Sequence, residues 1–137
     1  MTPSEALAAV VSGEDAAIFG YSVAGAHLAD GGRRRALTGL DAHRANRDRA
    51  AADLVAASAT PPPPAPAYEL PADVDSAAAA RALMALVDNR LVGLYADAAA
   101  ATTDADRRWA ARTGAECAMR AVIWGAPPQA FPTGSVQ

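Results

Sequence analysis

The sequence is poor in three kinds of residue, and each scarcity limits what the protein can be. It contains no lysine, a single cysteine and seven aromatic residues, which are 5% of the chain. Cys117 has no partner within the chain, which excludes an intramolecular disulfide scaffold. The net charge of −3 excludes the basic surface that is expected of a nucleic-acid-binding domain.

Two further absences concern secretion and membranes. No basic segment precedes the first apolar residues, so the start of the sequence does not resemble a signal peptide. No run of consecutive apolar residues reaches the roughly 18 residues of a membrane-spanning helix. We therefore expect a cytoplasmic protein with neither membranes nor nucleic acids among its partners.

Alanine is what the sequence has in abundance, with 39 of the 137 residues inside an apolar fraction of 52%. Alanine has the highest helix propensity and is depleted in β-strands. The high apolar fraction also excludes an intrinsically disordered chain. Because chains of this length typically form one domain, we predict a single all-α domain over residues 1–137.

Hydrophobic periodicity, capping residues and glycine or proline breaks predict four helices. A capping box made by Thr2 and Glu5 opens the first helix, and the glycines at 31–32 end it. Thr103 and Asp106 form a variant capping box that opens the fourth helix. The predicted helices span residues 3–29, 34–59, 75–101 and 104–124.

A proline-rich segment, residues 61–74, separates the second helix from the third. It is too long for a tight turn, because helix connections in bundles usually take about 2–8 residues. In polyproline geometry its 14 residues would reach about 43 Å, close to the length of about 39 Å expected for a flanking helix. We predict a lengthwise crossover that joins two antiparallel hairpins into a four-helix bundle. The alternative is a flexible linker between separate hairpins. Tyr68 and Leu70 argue against it, because a solvated linker has little use for large apolar side chains.

Charged residues fall at a similar depth on all four predicted helices. Counting residues from each turn places a carboxylate or an arginine near the middle of every helix, with boundary errors of two to four residues. The second helix also carries a histidine and an arginine close to this depth. The candidate polar core or ligand pocket consists of Glu14, His43, Arg44, Arg47, Asp48, Asp88, Glu116 and Arg120.

Three interpretations of this layer remain open from the residues alone. The first is a salt-bridged core that pairs Glu14 with Arg47, and Asp88 or Glu116 with Arg120, by charge-assisted hydrogen bonds. The second is a carboxylate-bridged iron or manganese site with Glu14, Asp48, Asp88 and Glu116 as ligands. The third is a pocket whose arginines bind a small anion. The first is favoured, because the chain lacks a Glu-x-x-His motif and the arginines bring positive charge to the place of the metal ions.

Several motifs resemble those of an actinobacterial family of ferritin-like domains of unknown function. They are Glu14-Asp15-Ala16-Ala17-Ile18-Phe19-Gly20-Tyr21, His43-Arg44-x-x-Arg47-Asp48, Pro66-Ala67-Tyr68-Glu69-Leu70-Pro71 and Arg120-Ala121-x-x-Trp124. The resemblance covers nearly the whole chain and implies a ferritin-like four-helix bundle. It implies no activity, and the absence of both Glu-x-x-His motifs departs from true ferritins.

The sequence thus predicts a non-catalytic bundle with a salt-bridged polar core in place of a di-metal site. We expect it to serve binding or assembly as a homodimer, without a cofactor. Beyond the fourth helix, Phe131 is expected to pack back against the bundle. The alternative function is that of a degenerate di-iron or di-manganese protein related to oxidoreductases.

Overall fold

The computed structural model describes residues 1–130, and these form four α-helices. The helices are α1 (Pro3–Gly25), α2 (Asp30–Ala56), α3 (Ala77–Ala101) and α4 (Asp104–Ile123). No strand occurs within this part of the chain. The predicted all-α four-helix bundle is therefore confirmed, whereas Phe131 lies outside the described residues.

The two hairpins, α1–α2 and α3–α4, pack against each other through α1 and α3. These two helices are antiparallel, since Gly13 of α1 lies against Leu94 and Gly20 lies against Val87. The outer helices α2 and α4 approach each other at Arg49, whose guanidinium lies 4.7 Å from the centre of the Trp109 ring. The helices thus follow one another around the bundle in the order α2, α1, α3, α4.

The segment between α2 and α3 runs along the length of the bundle, as predicted. Both helices are antiparallel to α1, so the chain must return from one end of the bundle to the other before α3 begins. Tyr68 anchors the crossover midway, because its ring packs against that of Phe19 with 5.2 Å between the ring centres. Leu70 and Val74 also pack partly buried against the core. These contacts favour the crossover over the flexible linker.

The turn between α1 and α2 lies earlier than predicted. α1 ends at Gly25 rather than 29, and α2 begins at Asp30 rather than 34. The prediction that glycines 31–32 break the helix was therefore wrong, because they lie in the first turn of α2. Neither glycine has a positive φ, so both are compatible with the right-handed helix. The buried Leu28 fixes the short connection against the core.

The two predicted capping boxes have different outcomes. Thr2 and Glu5 exchange both hydrogen bonds, with Glu5 N donating to Thr2 Oγ1 at 3.2 Å and Thr2 N donating to Glu5 Oε2 at 2.7 Å. The box at Thr103 was wrong, because its side chain makes no capping hydrogen bond. The next residue, Asp104, has a φ of +49°, and the chain enters α4 through this left-handed conformation.

Small residues form much of the core, as the alanine content suggests. Ala6, Ala17 and Ala24 on α1 are completely buried, as are Ala80 and Ala98 on α3. α1 is also long and apolar enough to cross a membrane by length and composition, but half of that apolar stretch is buried inside the bundle. This burial is compatible with a core helix of a soluble protein.

Candidate functional site

Four ionisable side chains, one from each helix, meet in the middle of the bundle. Glu14 of α1, His43 of α2 and Asp88 of α3 are completely buried. Arg120 of α4 reaches them from the side, and 19% of its side-chain surface stays exposed. We call Glu14, His43, Asp88 and Arg120, together with the groups that bond to them, the central network.

Both oxygens of the Glu14 carboxylate accept hydrogen bonds from protein groups. The phenol of Tyr95 donates to Oε1 at 2.5 Å, and Nδ1 of His43 lies 2.6 Å from Oε2. Because a carboxylate is an acceptor, the contact with Oε2 requires the proton on Nδ1 of the imidazole. Two donors therefore compensate the burial of Glu14, as a buried charge demands.

The Asp88 carboxylate is satisfied in the same way. Its Oδ2 accepts from the phenol of Tyr21, and its Oδ1 accepts from Nε of Arg120 at 3.2 Å. The Tyr21 oxygen in turn accepts from the indole N–H of Trp124 at 2.9 Å. All four carboxylate oxygens of the central network thus have a donor from the protein itself.

His43 lies between the two carboxylates and connects them. Its Nε2 is 3.4 Å from Oδ1 of Asp88, close enough for an ion pair but not aligned for a hydrogen bond. Burial opposes the protonated form of His43, but the attraction of Asp88 and Glu14 outweighs it and raises the pKa above the ordinary 6.5. When the imidazole is protonated, its charge and that of Arg120 together equal the charges of the two carboxylates.

The two hairpins contribute to this network in matching ways. The two hairpins align in sequence when 74 is added to the residue numbers of the first. The helix starts then correspond, Pro3 to Ala77 and Asp30 to Asp104. The same shift places Glu14 on Asp88 and Tyr21 on Tyr95. Each hairpin therefore carries an acid and a tyrosine seven residues later on its first helix, and each tyrosine bonds to the acid of the other hairpin.

The remaining polar groups around the network are held in their neutral forms. Burial raises the pKa values of Tyr21 and Tyr95, and the neighbouring carboxylates add to the effect. Burial likewise raises the pKa of the Cys117 thiol, which receives a hydrogen bond from Arg120 at 3.3 Å. A buried thiol of raised pKa is a poor nucleophile, so Cys117 acts as a core residue.

Half of the predicted site residues lie elsewhere. Arg44 and Asp48 are exposed on α2, and Glu116 is exposed on α4. Arg47 is 31% exposed and pairs with Asp15 at 2.9 Å and with Asp48 at 2.8 Å. The predicted pair of Glu14 with Arg47 was therefore wrong, as was that of Glu116 with Arg120, whereas the pair of Asp88 with Arg120 is present.

The error on α4 has a simple cause. The sequence interpretation turned Glu116 inward because of its depth along the bundle, but the inward face is shifted by one position. Ala110, Gly114, Cys117 and Ala121 face the core instead. A Cβ on Gly114 would lie only 3.1 Å from Cβ of Tyr95, so the small residues on this face let α4 approach α3 closely.

Tyr95 is a member of the network that the sequence interpretation did not include, and Tyr21 and Trp124 appeared there only within the motifs that carry the family resemblance. The signal that identifies the tyrosines is their common spacing of seven residues from a buried acid. It becomes visible once the chain is aligned with itself at the 74-residue shift.

The donor set does not fit a pair of metal ions. Of the four alternative ligands, Asp48 and Glu116 point to solvent, so only Glu14 and Asp88 are central. The oxygens of those two already accept protein hydrogen bonds, and Arg120 places a permanent positive charge beside Asp88. Within residues 1–130, no three His, Cys, Asp or Glu side chains are grouped so as to hold a metal ion.

Comparisons with known proteins agree with this architecture. A family described as "Domain of unknown function (DUF4439)" matches residues 6–136. The crystal structure of a conserved hypothetical protein from Mycobacterium tuberculosis matches with a TM-score of 0.85 and 30% sequence identity. That match covers 89% of this chain and 93% of the mycobacterial one. No curated protein matches the chain.

Proposed function

Since the chain belongs to the DUF4439 family, we propose that it is a ferritin-like bundle in which the central network replaces the di-metal centre. On this proposal the protein is a cytoplasmic, non-catalytic module for binding or assembly. Ferritin-like di-iron proteins use inward carboxylates together with Glu-x-x-His motifs as metal ligands. This chain keeps inward carboxylates on α1 and α3, but it occupies their oxygens with its own donors.

The observation that carries the proposal is the complete pairing of Glu14 and Asp88. Their four oxygens accept from Tyr95, His43, Tyr21 and Arg120. A metal ion would have to displace these donors and would face the guanidinium at the same time. Because every carboxylate oxygen is paired and Glu14, His43 and Asp88 are completely buried, the network presents none of these acids or bases to a substrate, which argues against catalysis at this place.

The test is elemental analysis of protein produced in cells supplied with iron and manganese. We expect metal well below one ion per chain in the native protein and in the Glu14→Gln variant. The matched control is Glu116→Gln, which makes the same chemical change on an exposed side chain. Stoichiometric iron or manganese that is lost in Glu14→Gln and kept in Glu116→Gln would overturn the proposal and establish a metal centre.

The expected homodimer remains a prediction within this proposal. The chain has a mass of 13.9 kDa. Light scattering that gives twice this mass would support assembly of two copies, whereas a monomer would leave binding of another partner as the role.

A further inference from the structure

A groove of 790 Å³ lies against α3 and α4 of the second hairpin, and none of its described lining residues belongs to the central network. Its floor and walls are largely apolar. α3 contributes Val92, Ala96 and Ala99, and α4 contributes Ala111, Ala115 and Met119. The volume is within the range of pockets that bind a ligand or a peptide segment, roughly 300–1,000 Å³.

The large side chains at one end of this groove are unusually exposed for a soluble domain. Met119, Val122 and Ile123 are 66%, 44% and 51% exposed, and all three lie in the last five residues of α4. The other exposed aliphatic residues, such as Leu37 and Val55 on α2, are single. Contiguous apolar surface of this kind marks a site of interaction.

The chain itself leads into the groove. After α4 it turns at Gly125, whose φ is +110°, and Pro127, Pro128 and Gln129 then form part of the groove wall. Gln129 lies in the groove wall one residue before the end of the part of the chain that the structure describes. The residues after 130 are therefore joined to the groove wall by a short stretch of chain.

The residues that follow match the groove in chemistry and in length. Residues 131–137 (Phe-Pro-Thr-Gly-Ser-Val-Gln) contain no charged side chain, and two of them, Phe131 and Val136, are strongly apolar. Fully extended, seven residues span up to about 23 Å. The part of α4 that lines the groove, residues 110–123, is about 20 Å long.

We propose that residues 131–137 bind in the groove between α3 and α4, with Phe131 against the exposed end of α4. The tether of a few residues gives the segment a high effective concentration at the groove, in the millimolar range or above. The apolar surface is then covered by the chain itself. This inference concerns a different surface from the central network and holds whether or not that network binds metal.

The three methionines of the chain allow a direct test by methyl NMR in the full-length protein. Met119 reports on the groove, while Met84 is completely buried in the core and Met1 is 75% exposed. We expect nuclear Overhauser contacts between the Phe131 ring and the Met119 methyl group in the native protein. In Phe131→Asp these contacts disappear, the Met119 signal shifts, and the Met84 and Met1 signals keep their positions.

A second measurement uses a soluble paramagnetic agent that relaxes exposed methyl groups. Burial of one phenylalanine ring favours a bound state by roughly tenfold or more. We therefore expect relaxation of Met119 to increase several-fold in Phe131→Asp, and to increase equally in Ala115→Arg, which places a charge in the groove. The matched control is Val55→Arg on the exposed face of α2, which should leave Met119 unchanged.

Two results would overturn the proposal. The first is a Met119 methyl that has no contact with Phe131 and relaxes alike in the native protein and Phe131→Asp. The second is a contact that appears only between differently labelled molecules in a mixed sample, since the occupant would then belong to a second copy.

Discussion

Replacement of Glu14 by glutamine tests the central network most directly. The side chain is completely buried and bonds to Tyr95 and to His43. A glutamine keeps the shape, but it replaces one accepting oxygen with an amide nitrogen that donates, and it removes the charge that helps to keep His43 protonated. Breaking a buried charge pair by changing one partner costs about 3–5 kcal/mol.

This cost is large relative to the whole stability of a domain, which is about 5–15 kcal/mol. For a chain of this size it corresponds to a decrease in melting temperature of about 10–20 °C. Differential scanning calorimetry at neutral pH measures the decrease, and circular dichroism at low temperature checks that the variant remains helical. The matched control is Glu116→Gln, whose side chain is exposed and which should change stability by less than about 0.5 kcal/mol.

The comparison of the two variants can refute the reasoning. If Glu14→Gln and Glu116→Gln melt at the same temperature, the buried bonds of Glu14 contribute nothing net. If Glu14→Gln melts at a higher temperature than the native protein, the free-energy cost of desolvating the Glu14 charge exceeds the stabilisation by its hydrogen bonds. Either result would mean that the network is not what holds the centre of the bundle together.

Two further predictions concern His43 and the glycines of α2. Because the folded state raises the pKa of His43, its contribution to stability is complete below the unfolded value of about 6.5 and is lost as pH rises through the folded pKa. The melting temperature of the native protein should therefore fall over that pH range. The control His27→Gln, which changes an exposed histidine, should show the same fall. A fall that persists in His43→Gln would contradict this prediction. A Cβ added at Gly39 would lie 2.5 Å from Cε1 of Tyr21, so Gly39→Ala should destabilise the protein by about 1–3 kcal/mol. Gly31→Ala on the same helix has its nearest atom at 3.7 Å and should stabilise by about 0.4–1 kcal/mol; chemical denaturation of both variants checks the opposite signs.

Much of the fold could be predicted because its signals are local. The capping box at Thr2, the proline-rich segment and the hydrophobic periodicity of the helices each depend on residues close in sequence. The position of the turn before α2 depended on a tertiary effect, the burial of Leu28, and it was missed. Glycines 31–32 look like a break in the sequence alone, but packing decides on which side of them the chain turns.

The site was harder to predict because depth along a helix does not determine direction around it. Adjacent helical residues point about 100° apart, so an error of one position turns a side chain from core to solvent. Asp48 and Glu116 were placed at the right depth and on the wrong face. On α2, the buried face includes His43, Ala50 and Leu54.

The exchange of hydrogen bonds between the tyrosines and acids of the two hairpins has a consequence for how α1 and α3 slide past each other. Faces rich in alanine are nearly smooth, so their packing alone distinguishes weakly between alignments that differ by one helical turn, about 5.4 Å. A slip of one turn would separate Tyr21 from Asp88 and Tyr95 from Glu14 together, leaving both buried carboxylates short of a donor. The two hydrogen bonds therefore specify a single register between α1 and α3. Buried polar groups specify the register of coiled coils in the same way.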